Sequence, residues 1–111
     1  MNRPEQIEKE LAMAGAALRE TKEGKARVCA RRAVALAAQN WLERFSQYGW
    51  CGDALNQLRQ IQQQESFPLP IRQAAERLST KITQRDTAPF TSDPISDARL
   101  IIDHFISAKP G

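Results

Sequence analysis

Apolar positions recur with helical spacing along most of this chain. Ile7, Leu11, Ala14 and Leu18 step by four, three and four residues, which draws one stripe on a 3.6-residue period. Pro4 suits the first position of that helix. Glu5, Glu8 and Glu10 follow in its N-terminal half, where the helix dipole favours acid. The segment TKEG at 21–24 predicts its end, with Gly24 as the flexible stop.

A second helix is predicted over 25–45, KARVCARRAVALAAQNWLERF, which holds strong helix formers and neither proline nor glycine. Apolar residues occupy most of its circumference, and only Arg32, Gln39 and Glu43 mark a polar strip. A helix apolar nearly all round is central or lies at an interface. The glycines in Tyr48-Gly49-Trp50-Cys51-Gly52 then signal a turn. Asp53 can cap a third helix with Leu55, Leu58 and Ile61 facing inward. Phe67-Pro68-Leu69-Pro70 interrupts the pattern. A fourth helix begins at Pro70, with Ile71, Ala75, Leu78 and Ile82 as its stripe. The polar stretch 84–92 reads as the longest loop, pinned to the body by Phe90. Asp93 caps the last helix, Pro94 opens it, and Ile95, Ala98, Ile102 and Phe105 face the core until Pro110-Gly111 ends it.

No stretch alternates like a strand, and no repeat recurs at a solenoid period. The fold expected is all-α: an antiparallel, up-and-down bundle of four to five helices, one domain over 1–111. With 41% hydrophobic residues and only 6% aromatics, the core must be built from alanine, leucine and isoleucine. No apolar run approaches the roughly 18 residues of a membrane span. The opening MNRPEQIEKE lacks the apolar stretch of a secretory signal. A cytoplasmic protein that does not engage membranes is therefore expected.

Charge narrows the chemistry only a little. Sixteen basic residues against thirteen acidic ones leave +3, too small an excess for a dedicated nucleic-acid binder. Arg27 and Arg31 stand four residues apart beside apolar positions of the second helix, next to Arg32. They read as arginines snorkelling at the edge of the core, or as an anion or interface contact. The two cysteines, Cys29 and Cys51, have no metal-ligand spacing, and with one histidine they cannot assemble a cysteine–histidine zinc site. Cys29 falls in an apolar stretch and reads as a small core residue. No phosphate loop, nucleophile elbow or metalloprotease helix occurs, so neither a cofactor nor a metal is expected.

One spacing can carry chemistry. Arg99 and His104 are five positions apart on the last helix. An arginine can hold a phosphate, and a histidine can move the proton of a ribose hydroxyl, so the pair contains parts of a metal-independent ribonuclease. At about 100° per residue they point roughly 140° apart. Arg99 then falls at the rim of the core, and His104 on the opposite, solvated face.

The order of segments resembles the HEPN domain, a small helical bundle of bacteria and archaea. The resemblance lies in the spaced alanines of LAMAGAALRE, the alanine-rich GKARVCARRAVALAAQNWL and the closing DPISDARLIIDHF. It implies a homodimer, and the second helix, with more apolar surface than one side of a small bundle needs, points the same way. Some HEPN proteins are ribonuclease toxins with an Arg-x4–6-His motif assembled across that dimer. Others lack the motif and act as binding modules, often beside a small nucleotidyltransferase. Arg99 and His104 match the minimum spacing, but Leu100 stands where a polar residue often follows the arginine. Ile106 stands where a tyrosine often follows the histidine.

The function expected from the sequence is a non-catalytic HEPN-like module that acts by homodimerisation and by binding a partner. That partner is a nucleotidyltransferase, an antitoxin or, weakly, RNA. The alternative is a HEPN ribonuclease toxin using Arg99 and His104, and a third class is a nucleic-acid-binding accessory protein using Arg27, Arg31, Arg32 and nearby lysines.

Overall fold

The structure is a computed structural model. It describes residues 3–44 and 53–107. Among them are five α-helices and one 3-10 turn, without a strand: α1 (Arg3–Arg19), α2 (Glu23–Arg44), α3 (Ala54–Gln63), α4 (Leu69–Ser79), the turn Ile82–Gln84, and α5 (Pro94–Ser107). The expected end of the second helix at Phe45, the turn at 48–52 with Cys51, the Glu43 side chain and the stop at Pro110-Gly111 lie outside the described residues.

The chain reverses after α1 by a route different from the one its sequence suggests. Gly24 lies inside the first turn of α2 and is not the stop. Thr21 takes the left-handed conformation instead, at φ 60°. Around it the Lys22 N–H donates to the Ala17 carbonyl at 2.8 Å and the Thr21 N–H to the Leu18 carbonyl at 3.1 Å. These two bonds make a Schellman turn, which satisfies carbonyls the helix end would otherwise leave bare. The stripe of α1 ends one residue earlier than its spacing indicates: Ala17 is buried and Leu18 is exposed. This short connection folds α2 back along α1.

Helix α2 is the centre of the molecule. Helices α1, α3, α4 and α5 all touch it. Its buried positions are Ala26, Arg27, Cys29, Ala30, Ala33, Val34, Ala37, Ala38 and Trp41. Five alanines in that set keep the helix slim, so backbones approach closely from several sides. Among its described side chains, the apolar breadth of α2 is therefore largely used inside one chain, with Val28 the exception at 40% exposure.

The outer helices form for the reasons their sequences give. Asp53 accepts from the Asn56 N–H at 3.0 Å, and Asp93 from the Ser96 N–H at 3.2 Å, so each carboxylate caps the helix that follows it. Pro70 falls within the first turn of α4, which begins at Leu69. Ile71, Ala75 and Leu78 of α4, and Ala98, Ile102 and Phe105 of α5, point into the common core, whereas α4 ends at Ser79, so that Ile82, expected in its stripe, falls in the 3-10 turn. Leu58 and Ile61 do the same from α3, while Leu55 is only half-buried. At one end, Trp41, Phe67 and Phe105 pack with ring centroids 5.4–5.7 Å apart, a spacing at which tilted aromatic pairs attract.

The left-handed Thr21 yields a prediction. A β-branched residue there costs about 1–2 kcal/mol, partly offset by the greater chain entropy glycine loses on folding. Thr21→Gly should raise unfolding free energy by about 0.5–1 kcal/mol in a urea titration, and a loss of stability would contradict the Schellman assignment.

Candidate functional site

The three arginines of α2 divide between inside and outside. Arg27 turns inward and is 2% exposed, Arg31 is half-buried, and Arg32 is exposed. The two inner guanidiniums converge on the end of α4. Arg27 Nη2 donates to the carbonyls of Leu78, at 3.2 Å, and of Thr80. Arg31 Nε donates to the Leu78 carbonyl at 2.9 Å, and its Nη2 reaches the Thr80 carbonyl at 3.5 Å.

Helix α4 needs these donors because it ends in Leu-Ser-Thr-Lys, with no glycine or asparagine to close a left-handed cap. Its carbonyls are instead satisfied one at a time. Glu76 accepts from the Thr80 N–H and from the Ser79 and Thr80 hydroxyls, and Arg77 from the Thr91 N–H. Leu78 and Thr80 take the arginines. The negative end of the helix dipole also favours a cation there.

Phe90 closes this corner, as expected from its place in the polar loop. The Arg27 guanidinium lies 4.3 Å from its ring centroid, and that of Arg85 lies 5.1 Å away, both within cation–π range. Arg85 also pairs with Glu23 of α2 at 3.0 Å. Burial, with the neighbouring Arg31 charge adding to it, lowers Arg27 from its ordinary value to about 10. Burial also lowers Arg31. Two recesses flank the corner. One, of about 320 Å³, holds Arg27, Arg31, Lys81 and Thr83. The other, of about 500 Å³, lies between α1, α2 and α3, and is lined by Glu10, Arg31, Arg32, Leu36 and Leu55 among others.

Arg99 and His104 have separate neighbours. Arg99, on the exposed side of α5, pairs with Glu8 of α1 at 2.8 Å. This contact raises the arginine and lowers the glutamate. His104 is half-buried, where its helical position alone indicated a solvated face. Its ring meets Phe67 edge-on, with centroids 5.4 Å apart. Phe67 precedes α4, so this contact arises from tertiary packing and has no signal in the periodicity of α5. Burial lowers the histidine from its ordinary value.

Cys29 is buried, and its thiol is raised, first by burial and then by the Glu10 charge. A raised thiol is a poor nucleophile. Among the described residues no group of histidine, cysteine and carboxylate side chains is placed to hold a metal ion, and no helix is long and apolar enough to cross a membrane.

Sequence reasoning missed Lys81 and Thr83, which reach the α2 arginines only through the fold. It also missed the α4–α5 tie, in which Arg77 grips Asp97 through Nε–Oδ2 at 3.1 Å and Nη2–Oδ1 at 2.8 Å. A signal for the arginine clamp did exist: a helix end without a glycine cap, and arginines four apart on an otherwise apolar helix. Comparison of the chain with family models, curated proteins and solved structures gives no match.

The histidine's surroundings set a pH dependence. Its folded value lies below the unfolded value of about 6.5, so the unfolded chain binds the proton first as pH falls. The contribution of neutral His104 to stability should be complete above about pH 6.5. It should decline below that and level off once the folded-state value is passed. Urea titrations from pH 7.5 to 4.5 should show this slope in the unmodified protein and a shallower one in His104→Gln.

Proposed function

We propose that this protein is a non-catalytic helical module of HEPN type, an up-and-down bundle that works in the cytoplasm by pairing with a second copy and binding a partner. The observation that carries the non-catalytic part is the separation of Arg99 and His104. The Arg99 guanidinium is already engaged by the Glu8 carboxylate, and the His104 ring rests against Phe67. General acid–base work on RNA needs the histidine and a phosphate-holding cation at one reacting centre. Within one chain these two side chains serve different contacts.

A groove of about 450 Å³ between α1, α2 and α5 supports the pairing. Ile7, Trp41, Ile102, Phe105 and Ile106 line it, with Glu8 and Arg99 among them. Ile106 is 67% exposed, a large apolar side chain at the margin of an apolar recess. A two-fold interface brings the same patch of each copy face to face. Glu8 and Arg99 suit that geometry, because opposite charges on one patch can re-pair across the axis. The resemblance supplies the partner class, a nucleotidyltransferase, an antitoxin or RNA held weakly. RNA bound through so small a net charge should be released by modest salt.

Two outcomes test this reading. The protein should sediment as a dimer at micromolar concentration, and Ile106→Asp should sediment as a monomer while keeping its helical circular dichroism. A strict monomer well above that range would remove the pairing. The purified protein should leave RNA intact. Metal-independent cleavage abolished by His104→Ala would make the chain a ribonuclease, since losing general acid–base help costs ~10²–10⁴ in rate.

A further inference from the structure

The corner where α2 begins and α4 ends holds more positive charge than its surroundings balance. Arg27 is 2% exposed, and its Nη1 has no hydrogen-bond partner. Arg31 lies beside it on the same two carbonyls. Neither arginine makes an ion pair with a carboxylate among the described residues. Glu23, on the first turn of α2, is held by Arg85. The end of α4 offers roughly half a negative charge against two guanidiniums, and the carboxylates whose charge reaches Arg27, Glu23 and Asp97, are each engaged by another arginine, so positive charge remains in excess.

That excess faces the recess of about 320 Å³ lined by Gly24, Arg27, Val28, Arg31, Lys81 and Thr83. Lys81 and Thr83 are exposed and lie on the segment that leaves α4. Gly24 lies in the first turn of α2, at the positive end of that helix, where backbone N–H groups lack carbonyl partners within the helix. The glycine has no side chain to stand between its backbone and a ligand.

We infer that this recess binds the phosphate group of a small molecule. Arg31 and Lys81 meet the anion from two sides, the Thr83 hydroxyl and the first turn of α2 donate hydrogen bonds, and Arg27 lends its charge from beneath. The site takes a terminal phosphate, because Arg27, Arg31 and Lys81 line one recess. The inference is independent of the pairing proposed above, since the groove lined by Ile106 shares no residue with this recess.

The test is thermal unfolding of the full chain in increasing inorganic phosphate, against sodium chloride of matched ionic strength, with glycerol phosphate and a single-stranded oligonucleotide as further probes. Phosphate and glycerol phosphate should raise the midpoint saturably beyond chloride, as any ligand of the native state does. Lys81→Ala should weaken the apparent affinity roughly ten-fold, which is the loss of about one charged hydrogen bond. Lys9→Ala, exposed on α1 and outside the recess, should behave as the unmodified protein. Thr83→Val gives a second reading with no change of charge and should also weaken binding. A phosphate effect no larger than that of chloride, full affinity in Lys81→Ala, or a response to the oligonucleotide alone would each overturn the inference.

Discussion

Arg27 lies between α2 and the end of α4 with its guanidinium almost fully enclosed, and a cation in that position is tolerable only if oxygen acceptors surround it. Removing such a group from water costs several kcal/mol even after relaxation. Each hydrogen bond from a charged donor returns about 1.5–3 kcal/mol. The acceptors are the Leu78 and Thr80 carbonyls, so the requirement runs both ways. The arginine needs bare carbonyls, and α4, lacking a glycine cap, needs a donor. This mutual dependence sets where α4 ends against α2. It also sets the path of the loop that follows, because Phe90 must come back over the guanidinium. Thr91 then reaches the Arg77 carbonyl, and Asp93 starts α5.

The remaining ties between helices lie at the surface and act by a different balance. Arg77 and Asp97 form a two-bond contact between α4 and α5, with the aspartate largely covered, which gives it directional value beyond an ordinary surface pair. Arg99–Glu8 and Arg85–Glu23 are much more exposed, so each contributes at most about 1 kcal/mol. Their value lies in position. Arg99–Glu8 fixes the rim of the groove that holds Ile106, and Arg85–Glu23 ties the segment after α4 to the first turn of α2. The core between these ties is alanine-rich, so its specificity rests on close backbone approach and on the Trp41–Phe67–Phe105 cluster more than on bulky aliphatic packing.

The candidate chemistry was legible only as far as single elements carry it. The angle between Arg99 and His104 follows from helix geometry, and the placement of Arg99 at a rim follows from the apolar stripe beside it. The covering of His104 by Phe67 could not be read from α5, because the two residues belong to separate helical segments. The same holds for the phosphate recess. Arg27 and Arg31 stand out in the sequence as cations beside apolar positions. Lys81 and Thr83 carry no local mark, and the acceptors they share a corner with are backbone carbonyls, which every residue has.

The sequence by itself determined that the described chain is helical, where α3 and α5 begin, and which faces of α4 and α5 turn inward. Periodicity and capping aspartates act over one or two turns, so local pattern is enough for these. It misplaced the end of α1, because a left-handed Thr21 runs against the residue preference that pointed to Gly24. It also assigned part of the broad apolar surface of α2 to a second copy, without saying how much the chain itself uses. Only the tertiary structure decided that, by surrounding α2 with the other four helices and turning Arg27 onto the end of α4. An uncapped helix end and a buried cation have many possible partners along a chain, and only packing brings two of them within bonding distance.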